Sequence, residues 1–193
     1  MPAYHYTSSW HLPWILTSGA LLQSKQRIAD FPSPDFIWAT TSAKGDMTAT
    51  VQNGFRLGMV KLVRFTFEES EFFPWAEAQS RHPEWTDKHV AALERSARSQ
   101  DVRGWLCRAS ALSMTLAKAI DVRTYTNNIW RPVTDLEVRK ATNADGSEWL
   151  VMRLLGEMEA SSRAVMRNGG LSFKGGELAL PFETLPLAIL PNS

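Results

Sequence analysis

Over residues 59–68 the chain alternates with a period of two. Met59, Lys61, Val63, Phe65 and Phe67 fall to one side, and Val60, Leu62, Arg64, Thr66 and Glu68 to the other. Successive side chains of a strand point to opposite faces, so Val63, Phe65 and Phe67 mark an apolar face that the fold must cover. Shorter runs rich in β-formers recur at residues 3–7, 36–41, 104–108, 120–125, 136–141, 148–155 and 171–174. Between two of them, Asn143-Ala144-Asp145-Gly146 reads as a hairpin turn, because Asp-Gly readily takes positive φ.

Helical signals are fewer. Ser8 and Ser9 suit the N-cap of a short helix that begins near residues 10–12, with Pro13 in the first turn, where an amide has no intrahelical partner. Leu12, Trp14, Ile15 and Leu16 supply its buried side, and Gly19 suits a left-handed C-cap. A second helix is expected over residues 42–52, capped at Ser42 or Asp46. A third runs over 86–99 with Thr86 as N-cap and Val90, Leu93 and Ala97 on one side. Residues 21–28 read as a connector or short strand, 30–35 as a proline-bearing loop, 70–83 as irregular and aromatic, 110–119 as ambiguous and 181–190 as an apolar tail. Without an internal repeat or a long polar linker, the expectation is one α+β domain over residues 1–193. Its sheets are mixed and mainly antiparallel, with flanking helices.

Lys and Arg number 21 against 20 Asp and Glu, a formal charge of +1, so no global basic field draws the chain to nucleic acid or an anionic membrane. A local strip is open to Arg95, Arg98, Arg103 and Arg108 beside Trp105, with an ordinary solvated face as the plainer reading. The single cysteine, Cys107, fits a reducing compartment, and no apolar run reaches the length of a membrane span, so the expectation is a soluble, cytoplasmic protein with no membrane partner. Eight tryptophans are dispersed along the chain and read as core, with Trp38 set apart as a binding residue. Nothing in the pattern speaks to oligomeric state.

Several chemistries lack their residues. One cysteine and scattered histidines give no zinc spacing, and His82, Asp87 and His89 read as a solvated loop. The glycines of residues 169–176 lack the Gly-Lys-Ser/Thr ending of a phosphate loop, and there is no Gly-x-Ser-x-Gly elbow. Cys107 as a nucleophile, with His5 or His89 as base, competes with the reading of a small apolar residue inside Trp105-Leu106-Cys107; the latter is favoured.

What remains is a three-part pattern. His5-Tyr6-Thr7 is followed by Trp14-Ile15-Leu16 and Gly19-Ala20-Leu21; Phe36-Ile37-Trp38-Ala39-Thr40-Thr41-Ser42-Ala43-Lys44 forms a second unit; Ser147-Glu148-Trp149-Leu150-Val151 forms a third. These resemble the motifs of the ADP-ribosyltransferase fold, in its histidine-bearing branch, and cover the first fifty residues and a short piece near 148. The toxin-like DarT type, which modifies DNA, is the nearer analogue, with Arg27 and Arg56 as candidates for its arginine. The resemblance implies NAD as cosubstrate and ADP-ribose transfer to a nucleic-acid or protein acceptor. It implies that His5 hydrogen-bonds the adenosine ribose, that Thr7 supports the backbone on the nicotinamide side and that Trp38 or Tyr6 stacks on the nicotinamide ring. Ser42, in the second motif, joins these as a cofactor-binding residue. Cleavage of the nicotinamide–ribose bond builds an oxocarbenium-like centre, which a nearby carboxylate stabilises. Glu148 takes that role, with Glu137 as its rival.

Two positions depart from the branch: the bulky Tyr6 stands where glycine is common, and Trp38 where tyrosine is usual. Both favour the alternative of a non-catalytic binding or interaction protein, such as a phage or mobile-element accessory protein, that retains the fold. A third reading, an NAD-using enzyme that removes an RNA 2'-phosphate, needs a histidine and arginine set that this sequence does not display.

Overall fold

A computed structural model describes residues 1–9, 11–23, 30–33, 35–45, 55, 61–97, 101–133, 136–142, 148–154, 164–167, 170–173 and 183–184; for residues 13, 14, 17 and those from 136 onward it describes the backbone alone. In chain order the first nine strands are β1 (Pro2–Ser8), β2 (Ala20–Leu21), β3 (Ile37–Thr40), β4 (Leu62–Glu68), β5 (Phe73–Pro74), β6 (Trp105–Arg108), β7 (Leu112–Ser113), β8 (Ala119–Arg123) and β9 (Arg131–Pro132). Seven of them form one antiparallel sheet in the order β5-β6-β3-β1-β4-β8-β9, while β2 pairs with β7. The alternating segment becomes β4, flanked by β1 and β8. His5 lies opposite Phe65 and Tyr6 opposite Arg64, and on the other side Phe65 faces Ile120 and Arg64 faces Asp121.

Residues directly opposite one another share a sheet face. Ala3, His5 and Thr7 therefore lie with Val63, Phe65, Phe67, Ile120 and Val122, while Tyr4 and Tyr6 lie with Arg64, Asp121 and Arg123. The first face is covered by α1 (Leu12–Ser18), whose Leu12, Ile15 and Leu16 bury into one core with Val63, Phe65, Phe67, Leu112, Met114 and Val122. Gly19 ends this helix in the left-handed region at φ 69, as a residue without Cβ does most easily.

A second core is mostly aromatic. It gathers Phe36, Trp75, Trp85, Trp105 and Cys107, with Ala78 of α2 (Ala78–Arg81) and, packed against it, Val90 and Leu93 of α3 (Asp87–Ser96). Thr86 sits at the N-cap of α3 and its amide donates to His89 Nδ1 at 3.2 Å. The aromatic stretch at 72–75 is tucked in: Trp75 is buried, Phe73 packs on this core and Phe72 on the first.

Five further antiparallel strands, β10 (Leu136–Thr142), β11 (Glu148–Leu154), β12 (Ala164–Arg167), β13 (Gly170–Phe173) and β14 (Glu183–Thr184), form a second sheet in the order β13-β12-β11-β10-β14. The β10–β11 pair has the register of a hairpin, Thr142 opposite Glu148, as the Asp-Gly signal anticipates; its turn lies outside the described residues. β11 comes alongside α1. The architecture is thus α+β, mostly antiparallel sheet with few helices. Among the described residues, no helix is long and apolar enough to cross a membrane.

Three local expectations need correction. Ser8 and Ser9 do not cap α1, because Ser8 continues β1 opposite Leu62 and the Ser9 hydroxyl accepts the Lys61 amide at 3.0 Å; His11 is the N-cap. Residues 42–45 form a turn instead of a helix start, held by side chains of the sheet as described below; 46–52 lie outside the described residues. Residues 70–83, read as irregular, carry α2 and two 3-10 turns, Glu69–Glu71 and Trp75–Glu77.

Candidate functional site

Strand alternation divides the sequence-predicted residues between the two faces of β1. On the first face, His5 is partly buried beside Phe65, ring centroids 6.2 Å apart, and its Nδ1 lies 2.7 Å from the Trp38 carbonyl oxygen. A carbonyl only accepts, so Nδ1 carries the proton and Nε2 presents a lone pair. Burial pushes the His5 pKa down; the Trp38 carbonyl opposes this and His11 adds to it, leaving the group at about 4. At neutral pH His5 is therefore uncharged, with Nε2 as its acceptor nitrogen. Thr7, on the same face, places its hydroxyl 3.0 Å from His11 Nδ1, with the Ser8 hydroxyl 3.3 Å from the same atom. Burial also lowers the His11 pKa. Nearby, burial pushes Lys61 down to about 8.

The depressed His5 pKa has a measurable consequence. From pH 6.5 down to about 4 the unfolded chain takes up a proton that the folded chain refuses, so stability is full above this window and falls as pH falls through it. Urea unfolding at pH 7 and pH 4.5 is expected to show a loss that is smaller in His5→Gln. Equal losses in the two proteins would mean that His5 is not held neutral.

On the opposite face, Tyr6 and Ser42 meet directly: the Tyr6 hydroxyl donates to the Ser42 carbonyl at 2.6 Å. Burial pushes the phenol up to about 12 against the pull of Arg64, so it remains a donor. The next two carbonyls of the turn are held as well. Ala43 accepts from Arg64 Nη1 at 2.7 Å, and Lys44 from Arg123 Nη1 at 3.2 Å. The turn closes on itself through the Ser42 hydroxyl, which donates to the Gly45 carbonyl, and Gly45 takes a positive φ of 130. Three consecutive carbonyls thus point at a tyrosine and two arginines of the sheet. Three hydrogen bonds aimed into the sheet explain why residues 42–45 turn where a helix start was expected.

Arg64 is the centre of this arrangement. Its Nε and Nη2 both donate to Asp121 Oδ2, at 3.1 and 2.8 Å, and its guanidinium lies over the rings of Trp130 at 4.6 Å and Tyr4 at 5.2 Å. Arg123 also lies over Trp130, at 4.8 Å. Sequence reading missed Arg64, Asp121, Arg123 and Trp130 as a group. The signal was the arginine in the polar half of the clearest strand, but its partners lie 57 or more residues away and emerge only from the register.

Trp38 sits half-buried in the aromatic core, its ring 5.2 Å from Trp75, 5.7 Å from Phe36 and 5.9 Å from Trp105. Its indole N–H donates to Asp35 Oδ2 at 3.1 Å. It serves the first face through its carbonyl, on His5. Cys107, directly opposite Trp38 on β6, is fully buried, and burial together with the Asp35 charge raises the thiol pKa, so the small-apolar reading describes its surroundings.

Glu148 is the first residue of β11, opposite Thr142, and Glu137 lies near the other end of the hairpin, opposite Arg153. These positions lie five residues apart along the strand, about 17 Å, at different ends of the hairpin. Arg27, Arg56 and Arg98 lie outside the described residues. Of the remaining strip, Arg95 donates to the Ala91 carbonyl and Arg103 pairs with Asp101 on the exposed surface, whereas Arg108 is partly buried and pairs with Glu71.

No family model, curated protein or solved structure matches the chain. The functional reading therefore rests on the residues and their geometry. His82 packs its ring on Phe36 and Phe73 and lies 3.3 Å from Glu84 Oε1, and His89 lies within hydrogen-bonding distance of Thr86 and the Glu84 carbonyl; among the described residues no three potential metal ligands gather.

Proposed function

We propose that the chain is an NAD-dependent enzyme of the ADP-ribosyltransferase type, transferring ADP-ribose to a nucleic-acid or protein acceptor. The observation that carries this reading is the state of His5. An uncharged imidazole whose Nδ1–H is committed to the Trp38 carbonyl offers Nε2 as an acceptor, the polarity a ribose hydroxyl requires. Thr7 shares that face, the helix that follows closes at a left-handed glycine, and β11, which begins at Glu148, runs alongside that helix. In this reading His5 binds the ribose, Thr7 supports the adjoining backbone and Glu148 stabilises the developing oxocarbenium ion. Tyr6 and Ser42 hold the second motif in place, and Trp38 contributes its carbonyl.

A competent cofactor site gains stability by mass action, so NAD in large excess is expected to raise the Tm of the wild type. His5→Ala should weaken that rise, and the wild type should release nicotinamide from NAD when cell lysate supplies acceptors. Absence of both stabilisation and release overturns the reading. One observation favours the alternative of a non-catalytic interaction protein: Trp38 and Tyr6, the two departures from the motif, are both engaged in holding the fold together.

A further inference from the structure

We propose that Tyr6 is a positioning residue for His5: from the opposite face of the sheet it holds in place the strand whose carbonyl fixes the His5 tautomer. The inference rests on the ribose-binding role that the transferase reading gives His5. β1 is joined to β4 by seven residue pairs and β3 to β6 by four, but β1 and β3 meet in register at one pair, Tyr4 opposite Thr40. Side chains complete this seam. His5 Nδ1–H donates to the Trp38 carbonyl at 2.7 Å, and the Tyr6 hydroxyl donates to the Ser42 carbonyl at 2.6 Å. The two acceptors stand two residues before and two residues after Thr40, and the two donors are consecutive residues of β1. Alternation along a strand sends consecutive side chains to opposite faces, so the 38–42 segment is gripped from both sides of its one backbone pair with β1.

The two grips communicate because the chain between them has little slack. The Thr41 amide donates to the Gly104 carbonyl at 2.9 Å, and the Ser42 amide to the Thr40 hydroxyl at 3.2 Å. A displacement at Ser42 is therefore carried back toward Trp38. Tyr6 is itself firmly placed: it is buried, its ring lies 5.6 Å from Trp130, and the next two carbonyls of the turn are held by Arg64 and Arg123. A buried phenol that lost its acceptor would be costly, so the hydroxyl opposes any movement of the Ser42 carbonyl. On the other side, the Trp38 carbonyl decides which imidazole nitrogen carries the proton. If it withdraws, the proton is free to move to Nε2, and the acceptor assigned to the ribose becomes a donor. This gives the bulky side chain after His5 a task that glycine could not perform.

The test is the tautomer of His5 in the full chain with ¹⁵N-labelled histidine, read at pH 7 from the ring-nitrogen chemical shifts and assigned with His5→Gln. Tyr6→Phe removes the hydroxyl and keeps the ring on Trp130. Val133→Ala, beyond β9 at the far edge of the sheet, is the control for general loosening of the core. The wild type is expected to hold the proton on Nδ1. In Tyr6→Phe the ratio of the Nδ1–H to the Nε2–H form should fall by roughly tenfold, the weight of one hydrogen bond, while Val133→Ala leaves it unchanged. Apparent affinity for NAD, from thermal unfolding, should fall in Tyr6→Phe in proportion to the share of the Nδ1–H form that is lost. An unchanged tautomer in Tyr6→Phe, or an equal change in Val133→Ala, overturns the proposal. The tautomer is measured without NAD, so the two readings fail separately: a wild type indifferent to NAD overturns the transferase reading, whereas the tautomer alone decides whether Tyr6 positions His5.

Discussion

Under the proposed transferase reading, Glu148→Gln is expected to slow nicotinamide release from NAD by roughly 10²- to 10³-fold, the usual loss when one aligned electrostatic stabiliser is removed, while leaving NAD-dependent stabilisation in place. The two readouts separate because the substitution alters charge and hardly alters shape. A carboxylate matters most as positive charge develops on the ribose, whereas binding in the ground state draws on neutral contacts, such as the one assigned to His5. Glu137→Gln is the internal control. The two glutamates lie at opposite ends of the β10–β11 hairpin, about five residues or 17 Å apart along the strand, too far for both to serve one anomeric carbon. Loss of release in Glu137→Gln with full release in Glu148→Gln would move the carboxylate role to the other end of the hairpin. Loss of both release and stabilisation in Glu148→Gln alone would instead make Glu148 a binding residue.

What the sequence made legible follows from how locally each feature is encoded. The period-two pattern of β4, the Gly19 stop of α1 and the Thr86 start of α3 depend on neighbours a few residues apart, and each appears at or near its expected position; the strands that flank the 143–146 signal pair in hairpin register. The site depended on register, which local patterns do not carry. His5, Tyr6 and Thr7 read as one motif, yet a strand sends alternate residues to opposite faces, so His5 and Thr7 part from Tyr6. The turn at 42–45 was misread as a helix because its determinants are Tyr6, Arg64 and Arg123, which lie 36, 21 and 79 residues from their carbonyl partners. Trp38 was singled out from a motif position, whereas its surroundings come from Trp75, Trp85 and Trp105, brought in by later segments.

Phe65→Ala is expected to cost about 3–5 kcal/mol, the range for truncating a buried aromatic residue, against a total stability of roughly 5–15 kcal/mol for a domain of ordinary size. Phe65 is fully buried at the centre of β4, with His5 opposite on β1, Ile120 opposite on β8 and Phe67 on the same face at 6.3 Å. Strands on both sides and α1 above leave little freedom to collapse into the space, which argues for the upper part of the range. Urea unfolding at pH 7 measures the loss, and a change below about 1 kcal/mol would contradict the packing described. Phe65→Leu keeps most of the apolar volume and should remain folded, so it allows a second readout. The ring of Phe65 is part of what keeps water from His5, and that exclusion is the first cause of the depressed imidazole pKa. Admitting water should let His5 rise toward its ordinary value, so the stability lost between pH 6.5 and 4 should be smaller in Phe65→Leu than in the wild type. A core substitution that flattens the pH dependence would tie packing in the sheet to the protonation state on which the proposed ribose-binding role depends; an unchanged slope would mean that other groups set the His5 environment.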